Sequence, residues 1–147
     1  MLSVERLGVV LAPKDKEHAK FNAGMVKQGD KVHMLYRWSK STGVWTGEKT
    51  GIRYAEDFVS YAELTPEGKL VFDLDDKGFI KYYIEDPKTP LYSQDPRIVE
   101  FEGEYIIFFV RWDLDLCKVG MARTKDFKKV EPIGIIPTTD WDKDAFI

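Results

Sequence analysis

The chain has 147 residues, 44% hydrophobic and 32% charged, which fits one globular domain and excludes a disordered or low-complexity polymer. Its net charge of 22 − 25 = −3, with no dense basic run, leaves no nucleic-acid footprint, so no nucleic-acid partner is expected. Cys117 is the one cysteine, which excludes an internal disulfide and a cysteine-rich zinc site; with only His18 and His33 as histidines, no metal site is expected either.

Taken in order, residues 7–11 read as a short apolar strand ended by Pro13. That run is far below the ~20 apolar residues of a spanning helix, and Glu5 and Arg6 stand too close before it for a signal-peptide core. No membrane partner is expected, and cytoplasmic residence is the expectation. Residues 14–20 are a charged connection with room for one helical turn. Residues 22–26 and 31–38 form a hairpin around Gln28-Gly29-Asp30, with glycine where φ can be positive. In its second arm Val32, Met34, Tyr36 and Trp38 share one face, and His33, Leu35 and Arg37 the other; His33 reads as an ordinary strand histidine. A polar loop covers 40–48, a third strand 50–54, and a fourth segment 59–64 leads into the Thr65-Pro66-Glu67-Gly68 turn. Residues 69–73 and 79–84 are further strands, separated by Asp75-Asp76-Lys77-Gly78. Apolar residues recur at period 2 or in short runs between turns, with no amphipathic helix, and the class is all-β.

The next stretch, Ser93-Gln94-Asp95-Pro96-Arg97, carries the chemistry. Proline cannot donate to a sheet ladder and belongs at a strand start or an edge, which would hold Asp95 rigidly at the mouth of a strand. Arg97, two residues on, would share its face. The plain alternative is an Asp-Pro turn with a surface ion contact.

An internal repeat organises the rest. Gly29 matches Gly103 and Arg37-Trp38 matches Arg111-Trp112 at an offset of 74; Gly51 matches Gly120 and Asp57-Phe58 matches Asp126-Phe127 at 69. Each unit is a hairpin, a loop and further strands, the pattern of a β-propeller blade. Blade one would occupy about 21–73, blade two about 96–133, and 142–147 would open a third, giving about two and a half blades of a five-bladed propeller in one partial domain. Open blade edges invite pairing, so a homo-oligomer that completes or caps the propeller is expected. The aromatics Tyr36, Trp38, Trp45 and Trp112 would pack between blades or stack on sugar.

On these residues the chain resembles glycoside hydrolase family 130, the β-mannoside phosphorylases and β-1,2-mannosidases. The resemblance rests on Arg6-Leu7-Gly8-Val9-Val10-Leu11, on Phe21-Asn22-Ala23 followed by Tyr36-Arg37, on Gln94-Asp95-Pro96-Arg97 and on Asp142-Lys143-Asp144-Ala145. It implies a five-bladed propeller acting on a mannose-containing oligosaccharide by inverting hydrolysis or phosphorolysis, without a cofactor but with inorganic phosphate as a candidate co-substrate. Asp95 would be the general acid, Asn22 and Arg37 would hold mannose hydroxyls, and Gln94, Arg97, Lys143 and Asp144 would complete the substrate site. A general acid must carry its proton when substrate arrives, which burial favours and a facing guanidinium opposes, so Arg97 is expected to point elsewhere. Two departures stand out. Gln94 replaces a Glu or Tyr, and Lys143-Asp144 replaces an Arg-Asn pair that binds phosphate; Asp144 would repel phosphate, which tilts the expectation toward hydrolysis. The competing readings are a non-catalytic carbohydrate-binding or inactive propeller fragment, and the arabinanase- and fructosidase-like propellers that share an Asp-Pro motif.

Overall fold

The computed structural model describes residues 8–45, 52–80, 82–83, 90–113 and 116–137. Strands β1 (His18–Gln28), β2 (Lys31–Trp45), β3 (Ile52–Leu64) and β4 (Leu70–Asp73) form one antiparallel sheet in chain order. Strands β5 (Tyr82–Tyr83), β6 (Pro90–Phe101), β7 (Glu104–Asp113), β8 (Leu116–Thr124) and β9 (Glu131–Ile135) form a second, again in order. Among the described residues there is no helix, and so none long and apolar enough to cross a membrane.

Period-2 patterning explains how the sheets meet. On β2 and β3 the alternate residues Leu35, Val59 and Tyr61 face the second sheet and pack on Tyr105, Ile107, Phe109, Ala122 and Phe127. Met34, Tyr36, Trp38, Ala62 and Leu64 take the opposite face under Val10, Leu11 and Phe58. The alternation read from the sequence is therefore correct, and both faces of the first sheet are buried. Tyr36 and Trp38, at 1% and 2% exposure, are packing residues. Trp45 and Trp112 lie outside the described side chains. His33 is buried within the inter-sheet core: its Nδ1 lies 2.7 Å from the Tyr61 hydroxyl, and its ring stacks on Phe127 at 4.0 Å.

Several local expectations are corrected. Residues 14–17 make no helical turn, and β1 begins at His18. Residues 8–11 are not a strand; Leu7 is outside the described residues. The loop expected at 40–48 begins later, because register irregularities after Lys40 and Ser41 let the strand continue through a polar stretch to Trp45. The third strand and the fourth segment are one strand, β3. Of the strand expected at 79–84, the ladder holds Tyr82–Tyr83, while Phe79 and Ile80 donate their N–H groups to the Val59 carbonyl.

The repeat is real but its offset shifts by one. Gly24 pairs with Leu35, and Arg97 pairs with Phe108, each 73 residues later. The ladder irregularities fall between Phe21 and Gly24 and between Gln94 and Arg97, again 73 apart. Matching the glycines misled because they occupy successive positions of equivalent two-residue turns: Gly29 has φ 60° at the first, whereas in the second sheet Glu102 takes that place at φ 51° and Gly103 follows at 77°. A one-residue slip exchanges the two faces of a strand, so the counterpart of Arg37 is Val110 and not Arg111. Asp57-Phe58 lies inside β3, whereas Asp126-Phe127 lies in the turn after β8, so that match also fails. Gly51 and residues 142–147 lie outside the described residues.

Candidate active site

The two matched bulges build the site. β1 packs against β6 so closely that a Cβ on Gly24 would lie 2.7 Å from the Pro96 carbonyl oxygen and 3.2 Å from the Arg97 Cα. Asn22 in one bulge and Asp95 in the other both hold a left-handed backbone, each at φ 50°. Asparagine and aspartate tolerate that region better than other non-glycine residues. The side chains meet there, the Asn22 Nδ2 donating to Asp95 Oδ1 at 2.7 Å. Asp95 is thus not at a strand mouth: β6 begins at Pro90, and Pro96 is accommodated by the bulge inside it.

Arg37 projects from β2 into the same place. Its Nε donates to Asp57 Oδ1 at 2.8 Å, its Nη2 donates to Asp57 Oδ2, and its Nη1 lies 3.5 Å from Asp95 Oδ1. The Phe21 ring lies 4.9 Å from the guanidinium carbon. Asp57 is buried, at 4% exposure, and accepts two further bonds: from Ser39 Oγ at 2.8 Å and from Gln94 Nε2 at 2.5 Å. Burial pushes the Asp57 carboxyl above its ordinary value, the hydrogen bonds and charge of Arg37 and the bond from Ser39 offset part of that, and the Asp95 charge adds to it.

Of the residues expected in the site, Asn22, Arg37, Gln94 and Asp95 come together, with Gln94 reaching Asp57. Arg97 is exposed and donates from Nη1 to the Pro96 carbonyl at 2.9 Å, so the guanidinium facing Asp95 belongs to Arg37. Lys143 and Asp144 lie outside the described residues. Asp57 and Ser39 were missed. The available signal was Arg37 itself, which on an inward strand face requires a carboxylate to offset the cost of burial.

A cavity of 790 Å³ opens elsewhere between the sheets, lined by Gln28, Lys31, His33, Tyr61, Phe79 and Phe127 among others. None of its lining residues belongs to the polar cluster.

No protein-family model matches the sequence, and no curated protein sequence matches it. Solved structures do. A β-1,2-mannobiose phosphorylase from Listeria innocua, in complex with β-1,2-mannobiose, superposes with a TM-score of 0.64 at 14% identity over 86% of this chain and 47% of its own. A family 117 glycoside hydrolase from Zobellia galactanivorans gives 0.62 at 14% over 92% and 46%. A structure from the family 130 group whose hydrolases target β-1,2-mannosidic linkages in Candida mannan gives 0.57 at 18% over 86% and 38%. The chain spans less than half the length of each. The fold is that of β-propeller blades, the architecture these solved structures share.

Proposed function

We propose that this chain carries the acid-bearing and sugar-holding part of a propeller glycosidase that acts on β-mannosides by inverting hydrolysis or phosphorolysis. The observation that carries this reading is the pairing of Asn22 with Asp95 across two matched bulges, both in left-handed backbone. Two non-glycine residues held so at one spot represent local strain, and such strain concentrates at functional sites. Asp95 protonates the departing glycosidic oxygen once sugar hydroxyls take the Arg37 Nη1 that faces it in the free chain. Asn22 and Arg37 supply directional donors to sugar hydroxyls. Gln94 and Arg97 border the acid, while Lys143 and Asp144 bear on the choice between phosphate and water, Asp144 disfavouring phosphate. An inverting hydrolase needs a carboxylate base roughly 6.5–9.5 Å from the acid. Asp57 is not that base, because it is buried beneath Arg37 and closed to an attacking water.

The test is turnover of β-1,2-mannobiose by the chain with and without inorganic phosphate, alongside Asp95→Asn. Loss of roughly 10³-fold in rate with sugar affinity retained is expected for a general acid. A wild-type chain that binds mannobiose and turns none over would replace this reading with a non-catalytic carbohydrate-binding one. Pairing with a second copy is part of the proposal, and light scattering with and without mannose measures it.

A further inference from the structure

Arg37 is asked to do two things at once: it touches Asp95, and under the proposed function it holds a sugar hydroxyl. A guanidinium on a flexible stem performs neither well unless something fixes its plane. Asp57 takes Nε and Nη2 together, the fork-on-carboxylate geometry that sets both orientation and distance and leaves Nη1 toward Asp95. Asp57 is fixed in turn by Ser39, its neighbour across the β2–β3 ladder, and by Gln94, the residue just before Asp95. Gln94 is therefore tied less to substrate than to this carboxylate. A neutral amide donor is the group the position requires, since a glutamate there would set a second negative charge against a buried one.

We propose that Asp57 and Gln94 form a coupled positioning pair which aims Arg37 at Asp95 and at the sugar, and that the glutamine at 94 is dictated by the aspartate at 57. The route is β3 to β2 to β6: Asp57 holds the guanidinium, Gln94 locks Asp57, and the same backbone turn that carries Gln94 carries Asp95. The pair touches no substrate. This inference rests on the proposed function for its rate arm only, because the orientation of Arg37 can be read without any reaction.

Three variants of the full chain test it: Asp57→Asn, Gln94→Glu, and the two combined. Each single change breaks the pair, by removing the fork's acceptor charge or by opposing it. The double variant keeps the net charge but not the fork, since Asp57 Oδ2 accepts from both Arg37 Nη2 and Gln94 Nε2 and an amide there cannot serve both. Two readouts are taken. One is the side-chain Nε–H resonance of Arg37 in a 15N-labelled protein, which is sharp and slowly exchanging when the guanidinium is held. The other is mannobiose turnover, resolved into kcat and KM. In the singles the resonance is expected to broaden into exchange and kcat/KM to fall about 100-fold, the scale of a misplaced contact group. In the double the resonance stays broadened and the loss is no greater than that of Asp57→Asn alone, because a glutamate at 94 then faces no buried charge. Thermal unfolding of each variant separates this from simple loss of fold, since a purely structural role would lower stability and rate together. Unchanged Arg37 resonances in folded singles, or losses that simply add in the double, overturn the proposal. If wild type turns over nothing, the glycosidase reading fails by itself and the Arg37 resonance alone decides the positioning role.

Discussion

The two sheets share one frame and differ in what hangs on it. With 73 as the offset, Asn22 corresponds to Asp95, Gly24 to Arg97, His33 to Ile106, Leu35 to Phe108 and Arg37 to Val110. Val32 pairs with Leu64 and Tyr105 with Thr124, so β3 maps onto β8 at an offset of 60 and Tyr61 corresponds to Met121. The face that the first sheet turns toward the second is polar at both ends, with His33 near one and Arg37 near the other. The same face of the second sheet reads Ile106, Phe108, Val110 and Met121, apolar throughout. The sheet also leaves Phe101, Ile133 and Ile135 exposed. Backbone geometry thus repeats while chemistry does not. The bulge is a mount, present twice, with an amide donor on one and a carboxylate on the other.

Gly24 and Arg97 are the sharpest way to break the comparison, because they are register equivalents with opposite surroundings. A methyl group on Gly24 collides with backbone atoms of Pro96 and Arg97, which cannot rotate away. Gly24→Ala should therefore cost about 3 kcal/mol, the upper part of the range for overpacking, by forcing β1 and β6 apart. Arg97 is exposed and bonded to its neighbour's carbonyl, so Arg97→Ala should stay within about 0.5 kcal/mol. Urea unfolding of the two variants measures both. Equal effects would mean that the two inner strands do not meet where the structure puts them.

His33 against Ile106 gives a contrast in pH dependence. Burial lowers the His33 imidazole from its ordinary 6.5, with Glu63 opposing and Lys31 adding to the shift. The groups facing it are Tyr61, Gln28 and the Phe127 ring, and the nearby charges are Glu63 and Lys31. A histidine whose folded value lies below its unfolded one binds fewer protons when folded. Its stabilising contribution is then complete above the unfolded value and is lost as pH falls through 6.5 toward the folded value. Melting temperature recorded across that window should fall for wild type and fall less for His33→Gln. Identical slopes would remove His33 from the inter-sheet core's pH response.

The sequence disclosed the frame better than the contacts. Period-2 runs on 31–38 correctly placed Leu35 and Met34 on opposite faces, because alternation needs only the local pleat. Asn22, Arg37, Gln94 and Asp95 were legible as a group, and the fold brings them together. The offset was not, since a turn accepts glycine at either of two central positions and the register depends on which. Asp57 was overlooked for a different reason. It entered only as half of a repeated Asp-Phe pair, and only the merging of two short segments into β3 brings it opposite Ser39 and within reach of Arg37. Arg97 fell to the bulge, because period-2 logic stops at an irregularity in the ladder.

Alanine and glycine at the two left-handed positions test the equivalence of the bulges most directly. If Asn22 and Asp95 occupy the same left-handed conformation, replacing each by alanine and by glycine removes the same side-chain hydrogen bond and leaves only the backbone preference to differ. Alanine pays the left-handed penalty and glycine does not, so Asn22→Ala should be less stable than Asn22→Gly by about 1 kcal/mol. The Asp95→Ala and Asp95→Gly pair should differ in the same direction by a similar amount, although the two residues sit on different sheets and differ in charge. Chemical unfolding of the four variants supplies the numbers. A gap at both positions identifies the strain with the repeated frame, independent of the group it carries. A gap at one position alone would mean that the matched φ values do not reflect a shared bulge, and the pairing of donor and acid across the blades would then rest on the side chains alone.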